Sequence, residues 1–392
     1  MTKRACVAFG VVLAVVASAI AGCGRFLGSD PELPPDAGGA EGSAPGDAAL
    51  DVAATDDGAC ALAPAPSCAL TLCPKRALHT PVGDGGAPWG IATSESAVFW
   101  LEQPATNEGY NGNATARVLR APKDPDAGVV MELAVGQPRA ISLAVMGGWV
   151  YWTVYEITAT PLATLRRVRT DCPGPCTFEQ LPLPNKGLRI MKLVPAGGET
   201  LFGIGEAGQV LRFDVGGATM SMAGPLLEKP GFASLANTGH HVLVSSNNSP
   251  TLARMGLDGT NIVEDFLPVP TGDRDGGAEP GINHLWYDCQ ARLWARRGPG
   301  TDLVSLSLTD GELRTIKAQA RLTVYDVTGD ARYLYLAGAN EGLFALDRQG
   351  STTLEPVGGA KVFAVAVDDE GVYWGEHDIA TPMAGTIYML AK

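Results

Sequence analysis

Residues 361–377 read KVFAVAVDDEGVYWGEH. Small apolar residues run from Val362 to Val367. Asp368-Asp369-Glu370-Gly371 follows as turn chemistry, and then comes Val372-Tyr373-Trp374. β-Branched and aromatic residues on both sides of a short acidic turn that ends in glycine predict a β-hairpin.

The same hairpin recurs upstream, at residues 89–102 (WGIATSESAVFWLE), 139–155 (RAISLAVMGGWVYWTVY), 189–205 (RIMKLVPAGGETLFGIG), 232–246 (FASLANTGHHVLVSS), 282–296 (INHLWYDCQARLWAR) and 322–337 (LTVYDVTGDARYLYLA). The apolar triplets that open at Val98, Val150, Leu201, Val242, Leu293, Leu334 and Val372 are spaced 38 to 52 residues apart. A strand-rich repeat of this period predicts a β-propeller. The 49 glycines and 28 prolines, scattered at short intervals, argue against long helices and for many short strands.

Behind most hairpins stands a third apolar run, such as 209–214 (QVLRFD) and 342–347 (GLFALD). A more polar fourth run follows, such as 313–318 and 352–357. Four strands make one blade. The first is expected to be the most buried because it lies at the axis, and the fourth forms a polar rim. The last repeat ends in a third strand at 385–392, whereas residues 77–87 resemble the fourth strand of the preceding repeat, 353–360. The expected fold is therefore all-β: a propeller of seven four-stranded blades, closed by an N-terminal outer strand that completes the last blade. Six blades, with 189–205 as an insertion, and two stacked sandwiches are the alternatives. Val-Tyr-Trp at 150–152 and 372–374 gives the chain, over about residues 76–392, a resemblance to the YWTD and NHL-like propellers; the repeats between them lack the Tyr-Trp pair.

The N-terminus has a different character. Lys3 and Arg4 precede an apolar run from Val7 to Ala21, too short for a comfortable membrane span, which ends in Ile20-Ala21-Gly22-Cys23. This resembles the lipobox of bacterial lipoproteins. The resemblance implies a signal peptide over 1–22, cleavage before Cys23 and lipidation of Cys23, a lipid anchor in the membrane. Gly24 stands where an aspartate would signal inner-membrane retention, so the implied address is the cell envelope, at the outer membrane. Residues 23–59 then read as the lipidated cysteine and a tether. Pro31, Pro34, Pro35 and Pro45 lie among Gly, Ala and Ser, and eight acids face only Arg25. Such a segment buries too little apolar surface to order itself.

Six further cysteines remain in the exported chain: Cys60, Cys68, Cys73, Cys172, Cys176 and Cys289. An even number outside the cytosol reads as disulfides. Cys172-Pro-Gly-Pro-Cys176 predicts a local staple. The Cys-rich segment 60–75 is expected to send one bridge to Cys289 and tie itself to the propeller domain, 76–392.

The formal charge of −13, with no basic stripe, excludes a nucleic-acid partner. No nucleophile elbow, zinc-binding His pair, phosphate loop or dinucleotide fingerprint is present, so no catalytic residue and no metal ligand is assigned. In a propeller, the loops from second to third strand gather on one face with the loops between blades. There the sequence places Glu102, Asn107, Glu108, Tyr110, Glu156, Glu206, Glu341, Glu376 and His377 as the expected ligand face. No cofactor is expected beyond a structural cation, which a ring of these glutamates could hold on the axis. Trp100, Trp152 and Trp374 are expected to pack between blades. The functional expectation is a membrane-anchored binding or scaffold module for a protein, peptide or glycan. The alternative is a metal-dependent propeller enzyme of the lactonase or lyase kind.

Overall fold

A computed structural model describes residues 60–392 apart from 81–85, 104–114, 157–161, 184–187, 230, 232, 247, 270–280, 298–301, 318–321, 339–340, 360 and 378–384. The described residues form seven four-stranded antiparallel sheets. Six are sequential up-and-down blades, spanning residues 87–138, 143–182, 190–228, 233–268, 282–317 and 324–358. The seventh consists of Lys361–Val367, Gly371–His377 and Gly385–Ala391, and its outer position is taken by Lys75–His79. That strand pairs antiparallel with Gly385–Ala391, Lys75 opposite Leu390 and Ala77 opposite Tyr388. The outer strand thus starts two residues ahead of the stretch aligned from sequence, and it closes the ring as expected. Residues 189–205 are no insertion: Ile190–Pro195 and Thr200–Gly205 are the inner half of a complete third blade.

The first strands of consecutive blades touch all the way round, and Ala87–Thr93 touches Lys361–Val367 to complete the circle. The buried side chains fall into seven clusters, each shared by two neighbouring blades. The second strands organise them. In Trp149–Glu156, Trp152 packs with Phe99 and Leu101 of the first blade, while Tyr151 points the other way, to Leu201 and Leu211 of the third. Period-2 alternation therefore feeds both faces of every blade. Trp100, Trp152 and Trp374 are fully buried between blades, each contributing about 2–3 kcal/mol of apolar burial.

The second strand, rather than the first, is the most buried. Ala97–Gln103 and Tyr333–Gly338 are buried at every residue, whereas Ala87–Thr93 and Ile190–Pro195 alternate with half-exposed positions. A second strand is sandwiched between two blades. A first strand has one edge on the axis, where seven strands meet without filling the centre.

The disulfides are Cys172–Cys176, Cys68–Cys73 and Cys60–Cys289. The local staple and the long bridge to Cys289 are those expected. The segment ahead of Lys75 also enters the core: Leu70 and Cys73 pack with Tyr333 and Tyr335, and Ala331 N donates to Ala63 O at 2.9 Å.

Candidate functional site at the axial mouth

Glu102, Glu156, Glu206, Glu341 and Glu376 stand at the second-to-third strand end of their blades, and four of them are engaged by a cation of the same blade. Glu102 is 3% exposed; it accepts from Gly86 N at 3.1 Å and pairs with Arg117. Glu156 pairs with Arg166 at 3.1 Å, and Glu206 with Arg189 at 3.1 Å. Glu376 accepts from Lys75 Nζ at 2.7 Å and from Trp374 Nε1 at 2.9 Å. Glu341 lies against Gly338 at the tip of the sixth blade. The pairings run within or between strands of a blade, so they neutralise the rim locally and do not draw the carboxylates toward the axis. Among the described residues, no three His, Cys, Asp or Glu side chains are grouped to hold a metal ion. Asn107, Glu108 and Tyr110 lie outside the described residues, as does Cys23. His377 turns inward, with its ring 6.5 Å from that of Phe363.

Phe363 belongs to a second set of residues, which sequence reading passed over. Five first strands break register with the second strand near their start: between Pro88 and Gly90, Ile190 and Lys192, Asn283 and Trp286, Val324 and Asp326, and Val362 and Val365. A bulge inserts an unpaired residue and re-aims its side chain. The residues inserted here include Trp89, Met191, His284, Tyr325 and Phe363. Because first strands begin on the same face as the second-to-third strand loops, the bulges ring the axial mouth. His284 adopts φ of +52°, a left-handed conformation uncommon for a residue with a side chain.

Three of these side chains, Trp89, Tyr325 and Phe363, form one connected wall. Trp89 stacks on Phe363 with ring centroids 4.4 Å apart, and Tyr325 meets Phe363 edge-on at 5.3 Å. Tyr325 is 44% exposed. Next to it, Asp326 of the sixth blade faces Lys192 of the third at 4.0 Å, across the axis. Their side chains keep 28% and 34% exposure, as expected for the wall of a narrow opening.

Backbone N–H groups at or just past the bulges also stitch neighbouring blades. Leu193 N donates to Ser142 Oγ at 2.7 Å, Leu285 N to Ser234 Oγ at 3.0 Å, and Val365 N to Asp326 Oδ2 at 3.3 Å. Bulges take backbone N–H groups out of the ladder, and the preceding blade supplies the acceptor. A neutral serine suffices at two of these places; Asp326 adds a charge.

The electrostatics follow from this crowding. Burial raises the Asp326 carboxyl above the usual carboxylate range, and Lys192 and the N–H of Val365 oppose the rise. Burial pushes the His284 imidazole down to about 3, and the cations Lys192 and Arg296 push it further the same way, while a hydrogen bond to the Tyr325 backbone opposes them. His284 is therefore neutral at physiological pH. Burial likewise lowers the Arg296 guanidinium, with Tyr325 beside it acting the other way.

The sequence did carry a signal for this wall. Trp89, Met191, His284, Tyr325 and Phe363 are large residues at one repeat position, early in the first strand. They do not alternate with the core pattern, which is why a period-2 reading leaves them unassigned.

Comparison with known proteins gives the fold. No family model and no curated protein matches the chain. Among solved structures, the chain is similar to a catalytically inactive virginiamycin B lyase from Staphylococcus aureus with quinupristin, at 14% identity and a TM-score of 0.59, over 81% of this chain and 99% of that one. The WD40 β-propeller domain of Doa1 gives 12% and 0.57, over 80% and 96%. YCF48 bound to D1 peptide gives 12% and 0.52, over 84% and 99%. The chain is a seven-bladed β-propeller.

Proposed function

We propose that this protein is a binding module of the cell envelope, held at the outer membrane by lipidated Cys23 on the 24–59 tether, whose propeller presents its axial mouth to a protein or peptide. The observation that carries the reading is the aromatic wall of Trp89, Tyr325 and Phe363 at the mouth. Large apolar side chains left accessible on a face built from loops and bulges mark interaction sites. Similar propellers include one with a bound peptide, which accords with a polypeptide ligand in general.

The lyase or lactonase alternative draws on the likeness to virginiamycin B lyase, which extends to the fold. The glutamates it would use, Glu102, Glu156, Glu206 and Glu376, are each engaged by a neighbouring cation.

The test is photo-crosslinking of the lipid-free mature chain in envelope extract. One specific adduct is expected with the wild type, and none with Trp89→Ala/Tyr325→Ala. An identical adduct pattern for the two proteins overturns the mouth as the binding surface. The anchor is tested separately: palmitate labelling is expected to disappear in Cys23→Ala, and its persistence removes the lipoprotein reading.

A further inference from the structure

We infer that the axial mouth recognises a free peptide C-terminus, taking the terminal carboxylate beside Lys192 and an apolar last side chain on the Trp89–Phe363–Tyr325 wall. The inference rests on the mouth being the binding surface, and it names the ligand that this surface fits.

Charge complementarity comes first. The rim glutamates Glu102, Glu156, Glu206 and Glu376 are spent on Arg117, Arg166, Arg189 and Lys75. Further in, the ionised groups acting on His284 are both cations, Lys192 and Arg296. Among the described residues, the acid paired with Lys192 is Asp326, at 4.0 Å and already accepting from Val365 N. An ammonium carries three donors, and Asp326 at that distance occupies one of them loosely. In a chain of net charge −13, the described residues of the inner mouth thus have positive character. A carboxylate entering it gains a charge-assisted contact in a partly desolvated setting.

Shape comes second. Trp89 and Phe363 stack on one another, so their facing surfaces are used. Tyr325 meets Phe363 edge-on, so the three rings form a corner beside the stacked pair. That corner suits an aliphatic or aromatic side chain. Apolar side chain and carboxylate lie next to each other in one common group, the last residue of a polypeptide. The wall presents the same adjacency, since Tyr325 and Asp326 are consecutive and Asp326 meets Lys192.

The experiment uses fluorescein-labelled hexapeptide pools, random at five positions and ending in Leu or Phe, each made as the free acid and as the C-terminal amide. Binding to the lipid-free mature chain is read by polarisation. The free acids are expected to bind at least about tenfold more tightly than the amides. Lys192→Met, whose stem keeps the packing, is expected to erase that difference, and Phe363→Leu to weaken both forms. Thermal melts of the variants check that the fold is kept. Equal binding of acid and amide, lost in Trp89→Ala, overturns the carboxylate inference and leaves the mouth as the binding surface. Absence of binding by every pool, together with crosslinking in extract that ignores Trp89→Ala/Tyr325→Ala, removes both. Binding of acidic oligosaccharides in place of the peptides overturns the choice of polypeptide.

Discussion

Lys123 Nζ lies 2.9 Å from Asp368 Oδ2, a contact between the first and last blades across the seam where the ring closes. It is one of three such latches. Arg348 of the sixth blade reaches Asp288 of the fifth at 3.1 Å, and Lys392 of the seventh reaches Asp330 of the sixth at 3.5 Å. In each, an aspartate in the turn of one blade caps its own backbone N–H groups and receives a cation from just past the third strand of the next blade. At Asp288 and Asp330 an aromatic donor of the second strand joins in, Trp294 Nε1 at 3.1 Å and Tyr335 OH at 2.8 Å. The seam is therefore held by a side-chain latch as well as by the borrowed outer strand.

Breaking the seam latch should cost stability. Lys123 is 7% exposed and Asp368 19%, so removing one partner strands a poorly hydrated charge. Lys123→Met is expected to lower unfolding free energy by about 3 kcal/mol in urea titrations, with Lys123→Met/Asp368→Asn less affected than the sum of the single changes. Arg169→Ala, which breaks an exposed pair with Asp171, serves as the control with an unchanged melting temperature.

Stability should fall with acid because of His284. Its imidazole stays neutral in the folded chain down to about pH 3, whereas the unfolded chain takes up the proton near 6.5. The unfolded state thus binds the extra proton between those values, and stability drops as pH falls through that window, by at most about 1.4 kcal/mol per pH unit. His284→Asn keeps a residue that tolerates positive φ and is expected to show a shallower loss between pH 6.5 and 4.5. Parallel stability curves for the two proteins would refute the assignment.

The two kinds of disulfide should differ sharply. Cys60–Cys289 closes 229 residues of separation, and Cys172–Cys176 closes 4. On chain entropy, the long bridge is worth about 5 kcal/mol and the short one much less. Cys60→Ser/Cys289→Ser is expected to lower the melting temperature well beyond Cys172→Ser/Cys176→Ser.

Gly375 marks the tightest packing at the seam. A Cβ at this position would collide with the Pro88 ring of the first blade. Gly375→Ala is expected to destabilise by about 1–3 kcal/mol, and Gly375→Ala/Pro88→Ala to recover part of that loss.

Rim and mouth should separate by mutation. Glu156→Gln and Glu206→Gln, at paired positions of the rim, are expected to leave ligand crosslinking intact, while Trp89→Ala/Tyr325→Ala abolishes it. Loss of crosslinking in the rim variants alone would return the site to the loop carboxylates.

Much of this molecule is written in its repeats. The interval between apolar triplets, the turn residues and the polar fourth strands were enough for seven blades and ring closure, because strand periodicity and turn chemistry act over a few residues. Cys172 and Cys176 could be paired for the same local reason. What only the tertiary structure decided depends on distant strands meeting. Lys192 and Asp326 are 134 positions apart in the chain and share the axis only once the third and sixth blades are in place. The glutamates looked like a ring when read by repeat position, and in the fold Glu102, Glu156, Glu206 and Glu376 each meet a cation that the repeat does not announce. Trp89, Tyr325 and Phe363 owe their place at the mouth to bulges, and the sequence shows these only as large residues out of step with the core alternation, with nothing to say which way they are re-aimed.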